Sequence, residues 1–401
     1  MTLTDRATGT VDVPLPSIDP ELISADYLAW ARQMGTRLAA RSGCYNLFSS
    51  AVREPLDLLM TDLQAIGWAV LQERANRTSS WGHPDLISGI QRHYGIHDPA
   101  RILITSGASM AFVLAALALV EPGEHALLES PVYQPFRTVL LRRGAHISHF
   151  TRDAASGQPD LAMLETLIRP ETRLIVLTNL HNPGGTRLDD AMLQQIAAIA
   201  DRTGATIVTD EVFHDLAPDG PGYSRTAALL ADNIVSISSL SKAYGLGRLR
   251  VGWMIAAPPI MARLQEVHVT FETSLSSLDQ AAASVVFDNL PRYRQHGQEA
   301  VAMNRPAVLR FAAEMIAAGR LEGAVPPYGC VWFPRLCGLA ESDALVEHLR
   351  EHCGVAVVPG RYFGAPAHIR LGFGGDPAQV SAGLARLAEA LLALPGGQPC
   401  P

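Results

Sequence analysis

The feature that most restricts the fold of this chain is a strand–helix–strand pattern between residues 174 and 210. Residues 174–179 and 206–209 form mostly apolar runs typical of buried strands. Apolar side chains recur between the two runs at helical spacing, namely Leu188, Met192, Ile196 and Ile199. Short connections between such elements require parallel strands joined by a right-handed crossover. The pattern therefore predicts an α/β fold built on a mainly parallel sheet.

Polar residues follow the strands of this unit at its carboxyl ends, where open parallel sheets collect their ligands. Asn182 comes just after the first strand, and Asp210 ends the second. Lys242 follows the next predicted strand, residues 233–240. The sequence thus predicts that Asn182, Asp210 and Lys242 lie at one edge of the sheet.

Lys242 is the only lysine among 401 residues. Unlike a guanidinium, an ε-amine can lose its proton when desolvated and can form a Schiff base with a carbonyl. A surface lysine is the ordinary alternative, and GC-rich coding bias is another explanation for the preference for arginine. The neighbours of Lys242 favour a chemical role, because Ser239, Ser241 and Arg250 provide hydroxyl and guanidinium donors for a phosphate. A carbonyl-binding lysine beside a phosphate site points to pyridoxal 5′-phosphate.

The run Ser-Leu-Ser-Lys followed by Arg250 resembles the internal-aldimine signature of class I/II aminotransferases, the aspartate-aminotransferase-like superfamily of fold type I. The resemblance covers residues 45–394. It implies a mainly parallel central sheet with helices on both faces, together with a small α/β domain. It also implies a homodimer with sites at the subunit boundary, in which Lys242 is the catalytic lysine.

A turn at the start of an apolar helix matches the phosphate-binding turn of this family. Gly107, Ala108 and Ser109 stand there, and a helix start leaves backbone N–H groups free to bind an anion. The alternative interpretation of Ser109 as a hydrolase nucleophile is disfavoured, because Gly-Ala-Ser-Met-Ala lacks the second glycine of a nucleophile elbow. Tyr133 falls where the family places an aromatic ring against the pyridine ring, although a tyrosine after a proline is usually a packing residue.

The resemblance implies that Asp210 is a catalytic residue whose carboxylate contacts the pyridine nitrogen of the cofactor. It also implies that Asn182 donates a hydrogen bond to the 3-oxygen of the ring. The family usually reads Asp-Glu-Val-Tyr, whereas this chain has Phe213 at the tyrosine position and lacks that hydroxyl. A tyrosine that often reaches the neighbouring subunit's phosphate is also missing near residue 77. Both departures leave room for specialised chemistry.

Arg370 falls where the family binds the substrate α-carboxylate, and Asn182 is assigned to the substrate as well. An arginine in an edge strand would ordinarily be a surface residue. Residues 45–50 and 77–83 are expected to face the substrate. We predict an arm over residues 1–20, a large cofactor-binding domain over 58–289, and a small domain formed by 21–57 and 290–401.

Bulk composition is consistent with a globular enzyme. Hydrophobic residues make up 48% of the chain and the net charge is −7, which does not favour nucleic-acid binding. The five cysteines show no CxxC spacing, so we expect reduced thiols rather than disulfides or a metal site. The polar start is neither a signal peptide nor a membrane span, and we expect a cytoplasmic protein.

The predicted function is transfer of the amino group of an L-amino acid through Lys242. The alternative is a pyridoxal-phosphate-dependent cyclase or lyase, because the chain is also similar to capreomycidine-synthase-like enzymes of natural-product pathways. A non-catalytic sensor related to DNA-binding regulators is a third possibility, disfavoured because we expect no basic winged-helix segment upstream. The sequence does not reveal which side chain the substrate carries.

Overall fold

The computed structural model of the protein describes residues 27–40, 43–77, 79–153, 156–272 and 274–394. The predicted arm over residues 1–20 lies outside these ranges. A short strand, β1 (Tyr45–Asn46), precedes the main sheet. The main sheet contains seven strands within the described residues: β2 (Ile102–Thr105), β3 (His125–Ser130), β4 (His146–Thr151), β5 (Thr172–Thr178), β6 (Thr206–Asp210), β7 (Ile234–Ser239) and β8 (Gly252–Ile255).

The main sheet is mainly parallel, as predicted. Its strand order is β2-β8-β7-β6-β5-β3-β4, and only β8 runs antiparallel to its neighbours. The predicted crossover unit is present, because β5 and β6 pair in parallel with Thr178 opposite Asp210. Nearly every residue of these two strands is buried, as expected for a parallel sheet covered on both faces.

Helices connect the strands and continue into the second half of the chain. They are α1 (Tyr27–Ala40), α2 (Leu56–Ile66), α3 (Trp68–Ala75), α4 (Pro84–Tyr94), α5 (Ala108–Leu119), α6 (Gln134–Arg143), α7 (Leu161–Leu167), α8 (Asp190–Asp201), α9 (Pro258–Phe271), α10 (Ser277–Asp288), α11 (Leu290–Ala317), α12 (Asp343–His348) and α13 (Pro377–Ala393). Residues 58–73, whose apolar spacing predicts a single helix, form two helices, because Gly67 between them has φ 78°, a positive value that glycine accepts readily and that ends α2.

Short strands from the C-terminal part build smaller sheets. They are β9 (Leu321–Glu322), β10 (Val331–Trp332), β11 (Arg335–Leu336), β12 (Val355–Ala356), β13 (Val358–Pro359) and β14 (Ile369–Gly372). β14 lies between β10 and β13, so the interpretation of the strand around Arg370 as an edge strand is wrong. β1 pairs in parallel with β12. The segment around residue 45 therefore pairs with the segment around residue 355. The boundaries of the large and small domains stay a prediction.

The expectation of five reduced thiols is wrong at Cys337, which is disulfide-bonded. Cys44, Cys330 and Cys353 are free thiols. Within the described ranges, no helix is long and apolar enough to cross a membrane. The same ranges contain no group of three or more histidine, cysteine, aspartate or glutamate side chains placed to hold a metal ion.

Candidate active site

Lys242 lies just beyond the end of β7, with its side chain half-buried. Its Nζ donates a hydrogen bond to Ser50 Oγ at 3.1 Å. Burial lowers the pKa of Lys242, and the positive charge of Arg370 acts in the same direction. A lysine with a lowered pKa carries more of the free amine near neutral pH, which is the form that attacks an aldehyde or accepts a proton.

Asp210 is the last residue of β6, at the predicted edge of the sheet. Its Oδ1 accepts a hydrogen bond from the backbone N–H of Val212 at 3.1 Å. Burial raises the pKa of Asp210 to about 7, although the positive charge of Lys242 acts to lower it. The carboxylate is therefore poised to ionise fully when a cationic group is placed against it.

Arg370 and Asn182 are in direct contact, as their joint assignment to the substrate requires. Nη1 of Arg370 donates to Asn182 Oδ1 at 3.2 Å. Nη2 donates to Tyr27 Oη at 3.1 Å and to the carbonyl oxygen of Phe48 at 2.9 Å. Arg370 is 0% exposed and its Nε, also buried, has no hydrogen-bond partner among the described residues. A buried guanidinium without a carboxylate partner suits an anionic ligand.

The predicted phosphate turn and Arg250 are in direct contact. Nη2 of Arg250 donates a hydrogen bond to the carbonyl oxygen of Ser106 at 2.9 Å. The backbone of Arg250 itself is left-handed, with φ 49°. A Cβ on Gly107 would lie 2.7 Å from the same Nη2, so any other residue at this position would displace the Arg250 guanidinium. Gly107 begins α5 without a side-chain cap, which leaves backbone N–H groups of the first turn available to an anion.

The remaining predicted cofactor residues occupy different positions around this centre. Ser239 Oγ and Ser241 Oγ lie 2.5 Å apart at the end of β7. Ala108 and Ser109 form the first turn of α5, where Ser109 is exposed. Tyr133 follows β3 and meets the ring of Tyr27 edge-on at 5.2 Å. Phe213 is 3% exposed and belongs to a core cluster.

The donor set fits pyridoxal 5′-phosphate. A phosphate needs several N–H and O–H donors, and the glycine turn, Arg250 and the serine pair provide them side by side. The pyridine nitrogen needs a carboxylate, and Asp210 has a buried one. The aldehyde needs an amine, and Lys242 provides it with a lowered pKa.

Sequence reasoning missed one residue of this site, Tyr27, and named only the segment that contains two others. Tyr27 was given no role, although its hydroxyl contacts Arg370. The segment 45–50 was expected to face the substrate, and it supplies Ser50 and the carbonyl of Phe48. The segment 77–83 was expected there too, and its contacts include the pair between Arg77 and Asp85 at 3.0 Å and a hydrogen bond from the backbone N–H of His83 to Gln280 Oε1 at 2.8 Å. No local pattern marked Tyr27, because its partner is 343 residues away in sequence.

Comparison with known proteins identifies the class. Residues 50–387 match the model of the family "Aminotransferase class I and II". Capreomycidine synthase of Streptomyces vinaceus is 31% identical over 72% of this chain and 74% of that protein. A probable N-succinyldiaminopimelate aminotransferase of Mycobacterium tuberculosis (strain ATCC 25618 / H37Rv) is 28% identical over 82% of this chain and 85% of that protein.

Solved structures share the fold. A pyridoxal-phosphate-dependent cyclase, OrfR, superposes with a TM-score of 0.79 at 23% identity, covering 95% of this chain and 99% of the other. N-succinyldiaminopimelate aminotransferase from Mycobacterium tuberculosis superposes with a TM-score of 0.77 at 24% identity, covering 90% and 97%. The fold is thus that of the aspartate-aminotransferase-like enzymes. The chain belongs to the class I and II aminotransferases, and its cofactor is pyridoxal 5′-phosphate.

Proposed function

We propose that the protein transfers the amino group of an L-amino acid to a keto acid, with Lys242 as the catalytic residue. The observation that carries the proposal is the environment of the Lys242 amine. It is a half-buried amine with a lowered pKa, and the charges of both Asp210 and Arg370 act on it. Amine, carboxylate and guanidinium are the groups needed for a cofactor aldehyde, a ring nitrogen and a substrate carboxylate, respectively.

The cofactor would be held at both ends. Arg250, Ser239, Ser241 and the turn at residues 107–109 would bind its phosphate. Asp210 would keep a proton at the ring nitrogen, Asn182 would donate to the 3-oxygen, and Tyr133 would lie against the ring face. When bound, the cofactor supplies an electron-withdrawing ring that stabilises negative charge at the substrate Cα. Phe213 supplies no hydroxyl for the 3-oxygen.

Arg370 would orient the substrate through its carboxylate. Its guanidinium is fixed by Asn182 and by the carbonyl of Phe48, so the carboxylate meets a preorganised donor. Lys242 would then take the proton from the substrate Cα and pass it to the cofactor carbon that had carried the aldehyde. Ser50 holds the Lys242 amine in position through the 3.1 Å hydrogen bond.

The proposal is tested by mixing cofactor-loaded protein with single L-amino acids and no keto acid. A transferase should release a stoichiometric amount of keto acid and leave pyridoxamine 5′-phosphate in an acid extract. The same assay discriminates the second candidate, a cyclase or lyase. That enzyme would give an unsaturated or cyclised product and leave pyridoxal 5′-phosphate unchanged. No product from any of the amino acids would contradict both functions.

The second candidate is supported by one relative and by one residue. Capreomycidine synthase is among the proteins similar to this chain at 31% identity. Phe213 removes a hydrogen-bond donor that helps tune the cofactor in the usual family pattern, which is compatible with a different fate for the Cα carbanion. The catalytic groups around Lys242 serve either reaction, so the product analysis decides between them.

Replacement of Lys242 tests its role directly. We expect Lys242→Ala to lower turnover by about 10²–10⁴-fold, because the general base and the aldehyde-binding amine are both lost. Lys242→Arg is the matched control, since it keeps the positive charge but supplies no amine, and it should be equally inactive. Bound cofactor, measured after gel filtration, should remain detectable in both variants. Full turnover by either variant would contradict the assignment.

The oligomeric state and the compartment are part of the proposal. We propose a homodimer, supported by large exposed apolar side chains on α2 and α3. Trp68 is 70% exposed, and Leu56 and Met60 are each 48% exposed. We also propose a cytoplasmic location, because the cofactor and amino acids are supplied there.

A further inference from the structure

We propose that Tyr27 is a specificity-determining residue that completes the substrate carboxylate subsite. Its hydroxyl would accept a hydrogen bond from Arg370 and donate its own proton to one carboxylate oxygen. This inference rests on the proposed function, in which Arg370 binds the substrate carboxylate. It assigns a binding role to the first described residue of α1, far in sequence from the rest of the site.

The donors of Arg370 explain why a second group is needed. A guanidinium carries five N–H donors, two of them on each terminal nitrogen. The two donors of Nη2 are used by Tyr27 Oη and by the carbonyl of Phe48. One donor of Nη1 is used by Asn182, and Nε is buried. Arg370 in this arrangement cannot offer the usual pair of parallel N–H groups, so one carboxylate oxygen needs another donor.

The Tyr27 hydroxyl is placed to be that donor. It accepts from Arg370 at 3.1 Å, and a hydroxyl that accepts one hydrogen bond still has a proton to donate. Within the described residues, that proton has no acceptor. Burial would raise the pKa of Tyr27, but the positive charges of Arg370 and Lys242 outweigh this effect and lower it. A more acidic phenol is a stronger donor toward a carboxylate.

Local structure fixes the ring of Tyr27 in this place. Its backbone N–H donates to Gln134 Oε1 at 2.6 Å, at the start of α6. Its ring meets Tyr133 edge-on at 5.2 Å and Tyr362 edge-on at 5.6 Å. Tyr27 is 7% exposed. The hydroxyl is thus held by packing on its ring and by the first turn of α1, which is the preorganisation that a binding group needs.

The test compares two probes that differ only in the carboxylate. One is 2-methylalanine, which has no Cα hydrogen, and the other is isopropylamine. Their dissociation constants are measured from the absorbance of the cofactor-loaded protein. Tyr27→Phe should weaken 2-methylalanine binding by roughly tenfold or more, since a hydrogen bond to a charged group is lost. Isopropylamine binding should not change.

Tyr362→Phe is the matched control, because it removes a hydroxyl from the same aromatic cluster. That hydroxyl accepts from Arg361 at 2.7 Å and not from Arg370. The control should bind both probes as the wild type does. The unfolding temperature of the cofactor-free variants verifies that each is folded. Equal weakening of both probes by Tyr27→Phe, unchanged binding of both, or tighter binding of 2-methylalanine would each overturn the inference.

Arg370→Gln separates the inference from the function on which it rests. If Arg370 binds the carboxylate, this variant should lose the preference for 2-methylalanine over isopropylamine. Loss of the preference in Arg370→Gln but not in Tyr27→Phe would remove the role of Tyr27 alone. A preference that survives in Arg370→Gln would instead remove the carboxylate subsite itself, and with it the role of Tyr27.

Discussion

Among individual residues, the active-site lysine has a nucleophilic neighbour that is chemically silent. Cys330 is fully buried, and its Sγ donates to the carbonyl oxygen of Ser50 at 3.3 Å. Burial raises the pKa of Cys330 to about 12, against the effect of the nearby Lys242 charge. Thiolates rather than thiols are the reactive form of cysteine. Of the two side chains, the Lys242 amine, whose pKa is lowered, is therefore the better nucleophile toward an aldehyde near neutral pH.

Asp210 gives a prediction about the stability of the cofactor-free protein. Its pKa is about 7 in the folded chain, against 3.8 as the ordinary value. At a pH between these two pKa values, Asp210 is ionised in the unfolded chain but protonated in the folded chain. Rising pH then favours the unfolded state. The asparagine of the Asp210→Asn variant cannot ionise. The stability of this variant relative to the wild type should therefore increase from pH 4 to 7, and the difference should stay nearly constant above pH 7.

The measurement is the free energy of unfolding of both cofactor-free proteins in urea at several pH values. Burial also raises the pKa of Glu211, to about 8, but both proteins retain this residue. The difference between their free energies of unfolding therefore reports on Asp210. A stability difference that is constant with pH, or that shrinks as the pH rises, would contradict the raised pKa.

Among the elements, α5, β8 and the loop before β8 approach one another closely at the proposed phosphate end of the site. A Cβ on Gly252 would lie 2.5 Å from the carbonyl carbon of Gly107, and one on Gly107 would meet Arg250. The two backbones touch because both positions are glycine. This close approach places the guanidinium of Arg250 beside the first turn of α5, where a phosphate would bind.

Gly107→Ala tests this junction, with Gly123→Ala as its control. Both glycines have φ 89°, so alanine is strained at both and should destabilise the fold by about 1 kcal/mol. Only the Cβ at position 107 meets another group, whereas the one at position 123 has nothing within 4 Å. We expect Gly107→Ala to weaken cofactor binding roughly tenfold or more, through displacement of Arg250.

Fluorescence titration with pyridoxal 5′-phosphate measures the effect, and thermal unfolding measures the shared destabilisation. Similar cofactor affinities for the two variants would show that Gly107 serves the backbone conformation alone.

The elements also show what sequence could predict. Apolar runs and helical spacing located β5, α8 and β6. Parallel pairing then placed Asp210 at the carboxyl ends of the strands. These are local patterns. The break at Gly67 was missed because the apolar spacing continues across it, and the resemblance extended from residue 45 without reaching Tyr27. Contacts such as Tyr27–Arg370 depend on how distant segments pack, which a single sequence does not encode locally.

In the whole molecule, the site joins segments from both ends of the chain. The backbone N–H of Val52 donates to the carbonyl oxygen of Lys242 at 3.1 Å, and Gly372 donates to the carbonyl of Leu47 at 2.6 Å. Residues 47–52 thus lie between the lysine and the strand that carries Arg370. Movement of this segment would change both subsites together.

The proposed dimer gives a prediction on the scale of the assembly. Trp68 is 70% exposed on α3. Trp68→Glu should shift the protein toward a monomer, because it places a charge on this apolar surface. Leu392→Glu, at a residue 44% exposed on α13, is the control and should leave the mass unchanged. Light scattering gives the mass, and absorbance gives the bound cofactor. A monomeric variant with full cofactor content and activity would contradict sites at a subunit boundary.

The distance along the chain between Lys242 and Arg370 has a consequence for biosynthesis. The ribosome makes Lys242 first and Arg370 later, 370 − 242 = 128 residues afterwards. At roughly 5–20 residues per second this interval lasts on the order of ten seconds. During that time the nascent protein has the amine of Lys242 but not the strand that carries Arg370, the group proposed to bind the substrate carboxylate. The electrostatic effect of Arg370 on the pKa of Lys242 can therefore begin only after β14 has been made, and a chain truncated before β14 would lack it.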